Sequence, residues 1–223
     1  PADALFVINK SGGVITGNTA NVTVQGVFTN ESGATLAGIA NTTAISNLAV
    51  NAGNIHLSGA TLTGSTTLTN TATGLITGNG TLAGFAIAQN SGLIRPTGAS
   101  ALTIAVGTLL NLSSGVITGN AATVEISASF TNTGTVTLQN SSVGTFSSTA
   151  VNGGFVILNA SSLSGSGNTL ANQASGLITG NGTISGFASV QNAGQIFANS
   201  AVPLHLGSLV NNQVSGVITA DRK

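Results

Sequence analysis

The sequence predicts an all-β protein: a single-stranded, right-handed parallel β-helix (β-solenoid) of about eleven rungs, each of about 20 residues and three short strands. Three observations lead to this prediction. Asn recurs at a fixed spacing, short β-branched runs separated by turn residues fill the intervals, and only 4% of the 223 residues are charged although 41% are apolar. A disordered polar chain lacks such apolar content, and no apolar run approaches the length of a transmembrane helix.

An Asn at one phase of every rung sets the period. Twenty-four of the 223 residues are Asn, too few for eleven of them to fall in step through composition alone. The intervals between successive members are 19 to 21 residues. The predicted series is Asn9, Asn30, Asn51, Asn70, Asn90, Asn111, Asn132, Asn152, Asn172, Asn192 and Asn211.

A longer period overlies the first. The hexapeptide Gly-Val-Ile-Thr-Gly-Asn that begins at Gly13 recurs at Gly115, and the octet that begins at Thr73 recurs almost unchanged at Ser175. Both recur after 102 residues. We therefore predict one β-solenoid domain, residues 1–223, built from two five-rung super-repeats (about 13–114 and 115–215) plus partial end rungs.

The local pattern indicates strands. Runs such as residues 22–24, 124–126 and 155–158 are short and rich in β-branched or aromatic residues. Gly, Asn and Ser separate them at intervals that suit three strands and three turns per rung. One rung cannot bury its own apolar face, so stacking must supply the core. Right-handed coiling is expected because parallel crossovers are overwhelmingly right-handed.

The Asn series has a physical explanation in this fold. An Asn at the same turn of every rung can donate its side-chain amide to the Asn above or below and form a ladder. We also expect these residues to adopt the left-handed backbone conformation that Asn tolerates. The alternative is that each Asn is only a good turn residue, but one shared phase favours the ladder. Phe28, Phe85, Phe130 and Phe187, two pairs at matching super-repeat positions, are expected to be core stacks.

Few residues are suited to catalysis. The four carboxylates, Asp3, Glu31, Glu125 and Asp221, are too widely spaced to form the close pair that glycoside hydrolysis needs. There is no Cys, and His56 and His205 are expected about seven rungs apart, too far to share a metal. We therefore predict no enzymatic activity, no cofactor and no metal site. The four cations are also scattered, which argues against nucleic-acid binding.

Two short segments interrupt the regular pattern. They are Arg95-Pro96 and residues 203–205, the latter containing Pro203 and His205. We expect them to occupy similar places in the two super-repeats. No inserted loop, aromatic patch or charge cluster is evident elsewhere in the sequence.

The rung pattern, apolar-x-Asn-x-x-Gly-x-Ile followed by Gly-, Ser-, Thr- and Asn-rich turns, resembles the haemagglutinin-type repeats of large secreted bacterial adhesins. Filamentous haemagglutinin and related autotransporter passengers are examples. Residues 190–196 and 209–218 carry the resemblance most clearly, and it extends over essentially all of residues 5–220. It implies a right-handed β-helix, export to the cell surface, and adhesive or structural work without catalysis. Known members are usually longer and more highly charged.

The spacing also suggests a partner. If a second copy followed Lys223, its Asn9 would stand 21 residues after Asn211, within the observed intervals. We therefore expect an extracellular structural subunit that binds copies of itself head-to-tail through terminal rungs and forms a surface filament. Opposite charges near the ends, Asp3 and Lys10 against residues 221–223, are expected to help set the register. The alternative is a rod fragment of a larger secreted or autotransporter adhesin that binds host or glycan surfaces.

Overall fold

A computed structural model describes residues 6–98, 100–199 and 202–220. The described residues form 28 β-strands and no helix. The strands of the first half are β1 (Phe6–Asn9), β2 (Val14–Asn18), β3 (Val22–Val24), β4 (Val27–Asn30), β5 (Thr35–Ile39), β6 (Thr42–Ile45), β7 (Ala49–Asn51), β8 (Asn54–Gly64), β9 (Thr67–Asn70), β10 (Leu75–Ala83), β11 (Ile87–Asn90), β12 (Leu93–Pro96), β13 (Leu102–Ala105) and β14 (Thr108–Asn111).

From β15 onward the strands repeat the succession that begins at β2. They are β15 (Val116–Asn120), β16 (Thr123–Ile126), β17 (Ser129–Asn132), β18 (Thr135–Gln139), β19 (Val143–Phe146), β20 (Ala150–Asn152), β21 (Phe155–Gly165), β22 (Thr169–Asn172), β23 (Leu177–Ser185), β24 (Ser189–Asn192), β25 (Gln195–Ala198), β26 (Leu204–Gly207), β27 (Val210–Asn212) and β28 (Val217–Ala220).

These strands build a three-faced solenoid in which each strand pairs in parallel with its counterparts in neighbouring rungs. The first face is the eleven-stranded sheet β1-β4-β7-β9-β11-β14-β17-β20-β22-β24-β27. The second face comprises β2, β5, β12, β15, β18, β25, β28 and the opening halves of β8, β10, β21 and β23. The third comprises β3, β6, β13, β16, β19, β26 and the closing halves of those four long strands. The predicted all-β solenoid of about eleven rungs is confirmed.

In-register stacking produces a continuous apolar core. Alternate residues of a strand point to opposite faces of the sheet, so one inward position of the second face carries a column of branched aliphatic side chains. Away from the ends these side chains are at most 2% exposed. The column is Ile15, Leu36, Ile55, Ile76, Ile94, Ile117, Val136, Val156, Ile178, Ile196 and Ile218.

The four Phe residues predicted for the core are buried, with exposed fractions of 0 to 5%. Their burial confirms that they belong to the core, and two of them, Phe130 and Phe187, also make ring contacts. The ring contacts are local and pass through Phe146, whose centroid lies 5.1 Å from that of Phe130 and 6.5 Å from that of Phe187. The aromatic part of the core is therefore assembled within neighbouring rungs.

A glycine at the corner between the second and third faces is required by backbone crowding. Gly180 has a φ of +119°, and a Cβ added there would lie 1.8 Å from the carbonyl oxygen of Leu158 in the preceding rung. Gly78 is in the same situation against Leu57. In both places the strand register shifts, which is typical of a β-bulge.

We predict that Gly180→Ala lowers the free energy of unfolding by about 3 kcal/mol, because the methyl group meets backbone and L residues disfavour this φ. Gly59→Ala is the matched control, since Gly59 also has positive φ (+64°) but has no atom within 4 Å of an added Cβ. It should cost only about 1–2 kcal/mol. Denaturant unfolding measures both, and equal losses would contradict the crowding explanation.

Candidate functional site

Eleven Asn side chains form one hydrogen-bonded ladder along the inside of the first face. Each of the first ten donates its Nδ2 to the Oδ1 of the Asn one rung further along the chain, at 2.7–2.9 Å. The ladder is the most extended polar feature of the described chain. Its members are Asn9, Asn30, Asn51, Asn70, Asn90, Asn111, Asn132, Asn152, Asn172, Asn192 and Asn212.

The ladder has one polarity along its whole length. The Nδ2 of each Asn also approaches a backbone carbonyl: that of Asn9 donates to Thr35 O at 2.8 Å, and that of Asn132 donates to Phe155 O at 3.0 Å. A carbonyl only accepts, so the nitrogen of each amide must face it. The amide oxygens are thereby all turned towards the preceding rung.

Burial makes the ladder energetically important. The members from Asn9 to Asn192 are 0 to 5% exposed. A buried amide that lacks partners costs about 1–3 kcal/mol for each unsatisfied group. A single rung cannot satisfy these amides, so each rung depends on its neighbours for polar as well as apolar contacts.

The backbone conformation expected for these Asn residues is wrong. None of them has positive φ; each ends a strand, and the left-handed non-Gly residues, such as Ala40 and Ala160, lie at the corner between the second and third faces. The ladder Asn instead uses its own carbonyl to hold the next turn. Asn30 O, for example, accepts from the backbone N–H groups of Ala52 (2.8 Å) and Gly53 (3.1 Å). Side-chain pairing therefore accounts for Asn at this phase.

The last predicted member of the series is also wrong. Asn192 donates to Asn212 at 2.7 Å, whereas Asn211 pairs in register with Gln191 and its side chain faces outward. Strand alternation explains the difference, because the inward apolar residue stands two places before the ladder Asn, as Val210 does before Asn212. Leu209 stands at the same spacing before Asn211 but is 71% exposed, so the inward direction of Val210, not spacing alone, identifies Asn212.

The ladder ends in complementary groups. No donor reaches Asn9 Oδ1 from the part of the chain that the structure describes, and Asn212 Nδ2 donates only to Gly216 O within its own rung, at 2.8 Å. An acceptor therefore faces outward along the axis at one end, and a donor hydrogen faces outward at the other.

Among the described residues, nothing covers the apolar core at the second of these ends. Ile218, which belongs to the inward column, is 44% exposed. Beside it lies a cleft of about 240 Å³ between β25, β26 and β28, lined among others by Ile196 and Leu206. This end presents apolar side chains together with unpaired strand edges, the combination that a further rung would cover.

The ionisable residues are dispersed over the described faces. Lys10 Nζ lies 2.9 Å from Glu31 Oε1, and this hydrogen bond lowers the pKa of Glu31 below its ordinary value. Glu125, four rungs away, accepts from Thr103 Oγ1 at 3.0 Å on the third face. Among residues 6–98, 100–199 and 202–220, no three His, Asp or Glu side chains come together in a group that suits a metal. Asp3 and residues 221–223, expected to set register at the ends, lie outside the described residues.

The two segments that interrupt the pattern do not occupy similar places. Arg95 lies on β12 of the second face in register with Thr77, whereas His205 lies on β26 of the third face in register with Thr183. The second-face counterpart of Arg95 in the other super-repeat is Phe197, the third residue of β25. The expectation was wrong because the two segments, although they lie at similar distances along their super-repeats, belong to different strands of the rung. His56, on the same face as Arg95, contacts Thr77 Oγ1 through Nδ1 at 3.0 Å.

We predict that Asn132→Asp lowers the free energy of unfolding by about 3–5 kcal/mol, because a buried carboxylate cannot donate to Asn152 Oδ1 or Phe155 O. Asn120→Asp is the control: Asn120 is exposed and only accepts, from Asn140 Nδ2, so its loss should stay within about 0.5 kcal/mol. Denaturant unfolding near neutral pH compares them. Similar losses for both variants would mean that the ladder is not a main source of stability.

No helix long and apolar enough to cross a bilayer occurs among the described residues. No family model matches this chain, and comparison with curated proteins and with solved structures finds no match either. Functional inference therefore depends on the geometry of the solenoid and on the side chains that it displays.

Proposed function

We propose that this protein is a non-enzymatic extracellular structural protein, a β-solenoid subunit that stacks head-to-tail through its terminal rungs into a surface filament. The observation that carries the proposal is the uniform polarity of the Asn ladder. It leaves the Asn9 oxygen at one end and an Asn212 N–H at the other. A second copy placed end to end would let Asn212 donate to Asn9 and continue the ladder across the junction.

Polarity also selects the mode of association. Two acceptor ends or two donor ends cannot form this hydrogen bond, so a head-to-head dimer gains nothing from the ladder. A head-to-tail contact is heterologous, and if it does not close into a ring it propagates as an open filament. The half-buried Leu204 and Leu206 and the exposed Ile218 would then be covered by the first rung of the next copy.

The low charge supports the same proposal. Residues at one position of successive rungs lie about 4.8 Å apart, so a repeated charge would face its like along the whole solenoid. Proteins also use charged side chains to keep sheet edges from pairing with other chains. The described terminal strands β1 and β28 contain no ionisable residue, which favours edge-to-edge stacking.

Catalysis is not part of the proposal. Glu31 is paired with Lys10 and stands four rungs from Glu125, about 19 Å along the axis at the usual strand spacing. The extracellular location is supported by the resemblance of residues 190–196 and 209–218 to the repeats of secreted adhesins. Resistance to dissociation, which a continuous core and ladder provide, suits a mechanical role outside the cell.

We predict that the purified 223-residue chain forms filaments whose assembly is weakened by Asn212→Asp. The substitution removes the outward donor and places a carboxylate against the Asn9 oxygen of the next copy. Asn211→Asp is the matched control, because it adds the same charge one residue away, on the outward side of β27. Electron microscopy and light scattering over a range of concentrations should show long filaments for the wild type and the control, and short or no filaments for Asn212→Asp.

Two results would overturn the stacking proposal. One is a wild-type chain that stays monomeric at every concentration, which would favour a rod that continues only within a longer polypeptide. The other is equal assembly of Asn212→Asp and Asn211→Asp, which would show that the ladder does not cross the junction.

We predict that an antibody raised against the chain labels intact cells of the source organism, since a surface filament is accessible without permeabilisation. An antibody against a cytoplasmic protein is the control. Labelling that appears only after the cells are permeabilised would contradict the extracellular location.

A further inference from the structure

The two super-repeats have the same succession of strands but differ on the outward side of the second face. Strands β8 and β21 each have 11 residues, and β12 and β25 each have four. Their inward residues are alike, for example Leu57 and Leu158. Their outward residues are not alike. Asn54, His56 and Arg95 in the first super-repeat are replaced by Phe155, Ile157 and Phe197 in the second.

Phe155, Ile157 and Phe197 lie on the outward side of the second face, with Thr179 between Ile157 and Phe197, and we call these three residues the Phe155–Phe197 strip. Phe155 and Ile157 are alternate residues of β21, and Ile157 stands in register with Thr179, which in turn stands in register with Phe197. Phe155 is 51% exposed, and Ile157 and Phe197 are half-buried. Folding does not require aromatic residues there, since polar residues serve at the same positions in the first super-repeat.

Amide groups lie immediately beside this strip. A cleft of about 280 Å³ at the corner between the second and third faces is lined by Ile157, Leu158, Asn159, Gly180, Asn181 and Asn199. The three Asn residues belong to three successive rungs. Asn181 Oδ1 accepts from Ala160 N at 2.7 Å. Asn181 Nδ2 has no hydrogen-bond partner among the described residues, and neither do the side-chain Oδ1 and Nδ2 atoms of Asn159 and Asn199.

This arrangement differs from the same corner two rungs earlier. There, Asn140 Nδ2 donates to Asn120 Oδ1 at 2.7 Å, so one group of each side-chain amide is bonded to the neighbouring Asn. In the cleft the amides remain available to a ligand. The described residues 116–198 of the second face carry no ionisable side chain, so an anion or a cation would find no counter-charge on this face.

We propose that the Phe155–Phe197 strip and its adjoining amide cleft bind a neutral oligosaccharide. A pyranose ring has an apolar C–H face that packs on aromatic and aliphatic side chains, and its hydroxyl groups both donate and accept, as primary amides do. Small-ligand sites combine apolar and aromatic side chains with a few polar groups, and the strip and the amide cleft bring both kinds of group to one place. The site is on the side of the solenoid, so its occupancy does not depend on whether copies stack end to end.

The first super-repeat supplies variants that should keep the fold. The triple variant Phe155→Asn, Ile157→His and Phe197→Arg introduces into the second super-repeat the residues that stand at the equivalent positions of the first. The reciprocal control, Asn54→Phe, introduces an aromatic side chain at the matching position of the first super-repeat. Asn159→Ala and Asn199→Ala each remove a side-chain amide that forms no hydrogen bond with a described residue.

The experiment titrates each protein with maltohexaose, cellohexaose and chitohexaose, and with an acidic oligogalacturonate for comparison. Calorimetry gives the Kd, and the side-chain NH₂ resonances in NMR spectra locate the ligand. We expect one neutral sugar to bind and to shift the resonances of Asn159, Asn181 and Asn199. The triple variant should weaken binding at least about tenfold, each single Asn variant should weaken it severalfold, and Asn54→Phe should leave it unchanged.

Three outcomes would overturn the proposal. The first is that none of the three neutral sugars binds at concentrations up to about 10 mM, above the Kd of a weak ligand. The second is that only the acidic sugar binds. The third is that the triple variant abolishes lateral association of the protein in sedimentation experiments without any effect of sugar, which would assign the strip to contacts between copies. Binding is measured on both wild type and Asn212→Asp, so loss of stacking and loss of sugar binding are read separately.

Discussion

The need of each ladder amide for a partner in the next rung is the constraint on which the rest of the structure depends. From Asn30 to Asn192 the ladder residues are 0–2% exposed, and each side-chain amide is bonded through its oxygen to one neighbouring Asn and through its nitrogen to the other. The ladder meets that need only when rungs stay in register, and register in turn aligns the aliphatic column of the second face. A slip of one residue would turn every inward side chain of a strand outward and break the ladder at once.

The repeat made the architecture predictable, whereas the position of the final Asn required strand alternation. Spacing alone could not distinguish Asn211 from Asn212, since both fall within the observed intervals. The inward direction of Val210 distinguishes them, because only Asn212 shares its side of the strand. The expectation of left-handed Asn residues was wrong for a related reason. These residues end strands of the sheet and point inward, so they are not the turn residues that the expectation assumed.

The surface was much less predictable than the core. Inward residues must fill the core volume and form hydrogen bonds with neighbouring rungs, so they recur in the sequence at the period of the repeat. Outward positions are nearly free of folding constraints, so Phe155 and Phe197 appeared in the sequence only as scattered aromatics. They became one strip, with Asn159 beside them, once parallel register placed residues 42 positions apart on adjacent parts of one face. A strand-by-strand alignment of the two super-repeats would have found the signal earlier.

The two super-repeats distinguish the residues that the fold requires from those that it leaves free for other roles. Where both copies agree, as at Gly78 and Gly180, the residue is explained by a backbone carbonyl that leaves no room for a Cβ. Where they disagree, as at Arg95 and Phe197, the equivalent strand position holds a cation in one super-repeat and an aromatic ring in the other, so the fold does not determine which residue stands there. The proposed stacking and the proposed sugar binding are therefore compatible in one molecule, because the first would use the rung ends and the second the outward positions that the core does not control.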